Sequence, residues 1–286
     1  MTKTITTGLN AVTDLTPAGV EEMVQSLGGP RYRAKQIIFG LYRRLAASFD
    51  EMTDLPKEFR KRLMEVTRCR SLTPVQEVTG GDGTVKTVFT LADGKTIEST
   101  LMSYPTSRAR TRHTVCVSTQ VGCPIGCPFC ATGQQGFERN LTPGEIIDQV
   151  LSFARRLREQ DGGPVTNVVF MGMGEPLANF DALWQAIEML NSPAAFGLGA
   201  RNMVVSTAGL VPGIERLGRQ KLQVGLAVSL HAADNALRDR LVPLNRKYPL
   251  EQLIPACREY IARTGRRISF EYALFAGVND GVMRAR

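Results

Sequence analysis

The stretch TVCVSTQVGCPIGCPFC, residues 114–130, decides how the rest of the chain is read. Residues 114–119 are apolar and β-branched and predict a short buried strand. A loop rich in Gly and Pro follows and presents Cys123, Cys127 and Cys130 in a CxxxCxxC spacing. Three cysteines within eight residues, in a chain of 286, point to metal binding or redox chemistry rather than to a disulfide framework.

Strand and helix patterns alternate downstream. A helix is predicted over 142–160, a strand over 165–171, a helix over 179–190 and a strand over 202–206. The series continues with a helix near 211–219, a strand over 222–230, helices near 235–241 and 249–263, and a fifth strand over 267–274. Repeated strand–helix units imply a parallel sheet, and right-handed crossovers curl it into an open or closed barrel. Chemistry in such folds gathers where strands end. Each uncommon motif falls there: the cysteines after the first strand, Gly172-Met-Gly174-Glu175-Pro176 after the second, Ser206-Thr-Ala-Gly209 after the third and Ser229-Leu230-His231 after the fourth.

Three thiolates without a nearby fourth cysteine leave two readings open. Structural zinc is closed by four ligands, which His113 or His231 would complete, whereas three cysteines on an iron–sulfur cubane leave one iron open to a small molecule. That iron could take the amino and carboxylate groups of S-adenosylmethionine. Glycines 172 and 174 would let backbone approach it, Glu175 would accept from its ammonium, and Ser206, Ser229 and His231 would hold its carboxylate and ribose. In the plainer reading, GMG is only a tight turn and His231 only a satisfied loop residue.

Upstream, Thr16-Pro17 before Val20, Met23, Val24 and Leu27, with Gly28-Gly29 behind, predicts a capped helix. Two more amphipathic helices are read over 33–45 and 56–66. Residues 31–70 hold 11 basic and 5 acidic side chains, so +6 of the net +8 sits in this window. Such a balance favours an anionic partner such as nucleic acid. Val85–Leu91 and residues 96–101 alternate in polarity across Ala92-Asp93-Gly94, a hairpin signal that puts Glu98 in the returning strand. Residues 106–113 read as a linker. The expected organisation is a basic helical module over 1–70, a small antiparallel β segment and linker over 71–110, and the strand–helix region over 111–286. With 43% hydrophobic residues and no run near the ~18 apolar residues of a membrane span, the chain is expected to be globular. The start MTKTITTGLNAV lacks a signal-peptide plan, so a cytoplasmic location is expected.

The chain resembles the RlmN/Cfr radical S-adenosylmethionine RNA methyltransferases. The likeness rests on residues 115–146, VVFMGMGEPL at 168–177, VVSTAGLVPGI at 204–214 and AVSLHAADNALRDRLVPLNRKYPL at 227–250, together with YRAKQIIFGLYRR and SFDEMTDLPKEFR upstream. It implies a partial (β/α) radical-SAM barrel behind an accessory helical domain. It also implies methylation of carbon 2 of an adenine in 23S rRNA and, in dual-specificity members, in tRNA, with electrons from a donor such as flavodoxin. Carried over, Cys123, Cys127 and Cys130 bind a 4Fe-4S cluster. Gly174, Glu175, Ser206, Ser229, Leu230 and His231 contact S-adenosylmethionine. Cys116 resolves a covalent enzyme–RNA intermediate, leaving a transient disulfide, and Glu98 accepts the ring proton. The family carries its methyl group on a cysteine in an Ala-Cys-Gly segment that these residues do not include, so the expectation is that this form does not complete methyl transfer. Cys257, at an apolar position of a predicted helix, reads as a structural thiol. Methylation at carbon 8, as in Cfr-like enzymes, a non-catalytic zinc and RNA-binding protein, and an inactive fragment are the alternatives.

Overall fold

A computed structural model describes residues 9–105 and 111–281. Three helices come first, α1 (Pro17–Ser26), α2 (Tyr32–Tyr42) and α3 (Lys57–Val66), followed by strands β1 (Leu72–Thr79), β2 (Val85–Leu91), β3 (Thr96–Pro105) and β4 (Thr111–Cys116). Then come β5 (Gln120–Gly122), α4 (Ala131–Gln135), β6 (Phe137–Asn140), α5 (Pro143–Glu159), β7 (Asn167–Phe170) and α6 (Phe180–Asn191). The last part holds β8 (Met203–Thr207), α7 (Val211–Gly218), β9 (Gly225–Ser229), α8 (Asn235–Leu241), α9 (Leu250–Thr264) and β10 (Ile268–Glu271). The chain forms two compact units, one of Met1–Val117, Leu141–Val168 and Asp181–Gly199, the other of Ser118–Asn140, Val169–Phe180 and Ala200–Arg286.

In the first unit β1 to β4 pair antiparallel in sequence order. The β2–β3 hairpin turns as the Asp-Gly pair dictates: Gly94 has φ 81°, and the Asp93 carboxylate accepts from the Lys95 amide at 3.1 Å. Thr16 caps α1 by accepting from the Gly19 amide. α5 starts with a reciprocal box in which Thr142 accepts from the Glu145 amide and Glu145 from the Thr142 amide, with Pro143 preset for the first turn. Phe89 of β2 and Phe153 of α5 meet edge to face with centroids 6.1 Å apart, at the centre of this unit's core.

In the second unit β8, β9 and β10 are parallel neighbours, with Val205 opposite Leu226 and Ala227 opposite Ser269. Their connections run through α7, α8 and α9. Tyr260 of α9 donates to the Val224 carbonyl at 2.9 Å, and its ring packs beside Gly218 of α7. β5 and β6 form a separate antiparallel ribbon, with Gln120 opposite Asn140.

Several sequence readings shift. Of the linker over 106–113, residues 106–110 lie outside the described residues, and Thr111, Arg112 and His113 belong to β4, paired with β3. The β5–β6 ribbon has no counterpart in the sequence reading. The fifth strand is shorter than 267–274, with Leu274 in a loop and 72% exposed.

Candidate active site

The second unit holds a hollow of about 150 Å³, lined by the loops that follow β7, β8 and β9 and by the cysteine loop. It lies at the carboxyl ends of these strands, where the fold leaves backbone groups and side chains free to face a ligand.

The cysteine loop is tied at its base. Gly122, with φ 73°, lies so close to Gly136 that a β-carbon would fall 1.9 Å from the Gly136 carbonyl oxygen, and the Cys123 amide donates to that carbonyl at 2.8 Å. Cys130 directly precedes α4. Cys123, Cys127 and Cys130 are half-buried free thiols that all line the hollow. Burial pushes the Cys123 thiol up to about 11 and the Cys127 thiol up to about 12, so thiolates here call for a bound cation to hold them. Among the described residues no three His, Cys, Asp or Glu side chains converge as a single-ion site demands. Three thiols lining one hollow are the donor set that an iron–sulfur group uses. His113 sits in β4 of the first unit, bonded to Ser103 at 2.9 Å.

The loop after β7 is shaped by Gln120. Gly174, with φ 104°, packs against it so tightly that a β-carbon would lie 2.6 Å from the Gln120 β-carbon. The Gln120 side chain accepts from the Glu175 amide and donates to Asn140, both at 2.8 Å. Glu175 is 2% exposed; one carboxylate oxygen accepts from the Leu177 amide and the other from the Ala208 amide at 2.7 Å. Burial raises its pKa to about 7 against those hydrogen bonds, so a cationic ligand group would draw it back to the ionised form.

Ser206 and Ser229 stand half-buried at the ends of β8 and β9, and both line the hollow. Thr207 beside Ser206 caps the next turn, accepting from the Gly209 and Leu210 amides. His231 has the left-handed φ of 56°, which aims its ring into the hollow against Phe129, edge to face at 5.1 Å. Its Nδ1 accepts from the Ala273 amide, and burial and Arg238 lower its pKa; the neutral ring therefore offers Nε2–H as a donor. Leu230 does not line the hollow; its amide donates to Glu271 and its carbonyl accepts from Arg238.

Glu98 and Cys116 lie on neighbouring strands of the first unit. Cys116 is opposite Thr100, which puts Glu98, two residues from Thr100, on the same face of the β3–β4 pair. Glu98 is exposed and pairs with Lys86 at 2.6 Å, while Cys116 is half-buried. Four contributors escaped the sequence reading: Gln120, Phe129, Arg238 and Asn279. Asn279 donates to the carbonyls of His231 and Ala273 and so holds the last loop against His231. Only Phe129, wedged between two cysteines, carried a local signal.

The profile of the Radical SAM superfamily matches residues 117–285, and that of the ribosomal RNA large subunit methyltransferase N-terminal domain matches residues 11–69. A probable dual-specificity RNA methyltransferase RlmN from Moorella thermoacetica is 49% identical, over 93% of this chain and 75% of that protein. The protein of the same description from Chloroflexus aurantiacus is 51% identical, over 91% and 69%. The crystal structure of a radical SAM methyltransferase from Sphaerobacter thermophilus superposes with a TM-score of 0.92 at 52% identity, covering 96% of this chain and 80% of that one. The chain belongs to the RlmN family of radical SAM RNA methyltransferases. Its α/β radical SAM fold carries the helical region and antiparallel strands ahead of the parallel ones. Superfamily membership implies a 4Fe-4S cluster and S-adenosylmethionine. As in RlmN relatives, the enzyme is an RNA methyltransferase. All six cysteines are free thiols, with no disulfide among the described residues. No described helix is long and apolar enough to cross a membrane.

Proposed function

We propose that this RlmN-family chain serves methylation of carbon 2 of adenine in 23S rRNA and in tRNA, the dual specificity carried in its relatives' names. The observation that supports this most is the single hollow on which three thiols, a buried carboxylate and a neutral imidazole converge. Cys123, Cys127 and Cys130 would hold the cluster. Gly174 and Glu175 would receive the amino group of S-adenosylmethionine, with Ser206, Ser229 and the Nε2–H of His231 toward its carboxylate and ribose; Leu230 contributes through its backbone. When bound, the cluster supplies the electron that cleaves the sulfonium. Cys116 and Glu98 would serve the RNA adduct, as resolving thiol and proton acceptor. Glu98 is paired with the Lys86 ammonium at 2.6 Å, a contact that incoming RNA would have to open. Cys257, 2% exposed in α9 and pushed up to about 11 by burial, fits a structural thiol and not a methyl carrier.

Residues 1–70 would supply phosphate contacts to the RNA from a cytoplasmic protein, and a flavodoxin-type donor would supply electrons. Of the basic groups, Arg43 and Arg44 are engaged internally, Arg43 with the Pro193 carbonyl at 2.6 Å and Arg44 with Asp54. Exposed Lys35 and Lys57 are better placed to meet phosphate.

Anaerobic reconstitution with iron and sulfide tests this reading. The protein is expected to take up iron, develop cluster absorbance and then bind S-adenosylmethionine in a titration. Uptake of zinc without iron would overturn it, and adduct formation with adenine at carbon 8 would overturn the assignment of position.

A further inference from the structure

Arg238 is the largest of the fully buried side chains, at 0% exposure, on a helix of seven residues. A buried cation is costly unless it is paired or fully hydrogen-bonded. Among the described residues no carboxylate forms an ion pair with it. Its guanidinium is spent instead on neutral acceptors: Nε donates to the Leu230 carbonyl at 3.1 Å, Nη1 to Asn245 at 2.8 Å, and Nη2 to the carbonyls of Ala208 at 2.7 Å and Ser229 at 3.1 Å. Asn245, itself 0% exposed, is locked in turn by donating to Asn235 and Asp239. One planar fork therefore clamps the loop after β8 to the loop after β9, and both loops line the hollow. The Ala208 amide on the other side of the same residue donates to Glu175, so the clamp also sets where that carboxylate finds its donor.

The clamp carries a charge as well as a shape. Burial drives the guanidinium pKa down to about 10, and the foremost influence in the opposite direction is Cys127. The two loops it clamps line the hollow together with Cys127, and Cys257 and Asp239 act on the guanidinium in the same sense.

We propose that Arg238 is a positioning residue for the radical SAM site, clamping the β8 and β9 loops and acting as the resident counter-cation of the thiolate-held cluster. The proposal rests on the cluster reading above. A fixed positive charge beside a thiolate ligand favours the reduced cluster, so its removal makes the midpoint potential more negative.

The test compares reconstituted wild type with Arg238→Lys and Arg238→Met by redox titration of the cluster and by equilibrium binding of S-adenosylmethionine, with circular dichroism as the folding control. Arg238→Met is expected to show a more negative potential and at least tenfold weaker binding. Arg238→Lys, which keeps the charge but not the fork, is expected to retain the wild-type potential and still bind more weakly. If Arg238→Met loads iron with wild-type potential and affinity, the proposal is overturned. Equal potential shifts in both variants would remove the counter-cation. Should Arg238→Met not fold, wild-type affinity in Arg238→Lys would remove the clamp. Failure of wild type itself to take up iron would instead sink the cluster reading.

Discussion

Both units bury charge, and they handle it differently. In the first, Asp148 of α5 is 1% exposed and accepts from the amide and hydroxyl of Ser71 at 2.6 and 2.7 Å and from Thr13 at 3.4 Å. Arg155, about two turns along the same face of the helix, donates to the Leu45 and Ala46 carbonyls, and its strongest counter-charge is Asp148. Charge there is balanced within the fold and ties a helix to the segments around it. In the second unit Glu175 accepts from backbone amides and Arg238 donates to carbonyls and to Asn245, and among the described residues neither has an ion-pair partner. Charge left for a ligand to balance marks a site, whereas charge balanced by the chain marks a joint.

That contrast can be broken at several points. Cys127→Ala has the largest expected effect: iron uptake falls to background while the first unit's folding is untouched, as read by metal analysis and circular dichroism. Asp148→Ala strands the Ser71 donors and leaves Arg155 without its counter-charge, so urea unfolding should show a loss of about 3 kcal/mol or more.

Glu175→Gln sharpens the comparison through pH. Because the folded pKa is raised, from the ordinary 4.5 to about 7, the native state binds more protons than the unfolded state between those values. Stability therefore falls as pH rises through that window, by up to roughly 3 kcal/mol, and the Gln variant should lose this slope in unfolding titrations. S-adenosylmethionine binding should strengthen over the same window in wild type alone, because its ammonium favours the ionised carboxylate. The smallest effect belongs to Lys35→Ala with Lys57→Ala: a few-fold weaker RNA binding across sequences, with the salt slope reduced by about two, measured by titration at several salt concentrations.

The strand ends and their motifs were legible because a functional loop must follow a strand, and β-branched runs alternating with amphipathic helices announce where strands are. Thr16-Pro17 and Asp93-Gly94 were equally readable, being local hydrogen-bond devices. The β5–β6 ribbon was not: three residues pair with a segment more than a dozen positions away, and nothing in QVG or FERN alone says so. Nor could the sequence tell Arg238 from Arg240 in the run ALRDRL, though the first is fully buried and the second exposed.

The order of residues by itself determined which chemistry this protein can hold, since the number and spacing of thiols limit what they can ligate and the flanking strands say where they emerge. Only the tertiary structure decided which polar groups stand within reach of that chemistry. Burial, left-handed backbone at His231 and the convergence of four donors from Arg238 depend on segments far apart in the chain. Their energies arise from the removal of water around them, a property no single segment possesses.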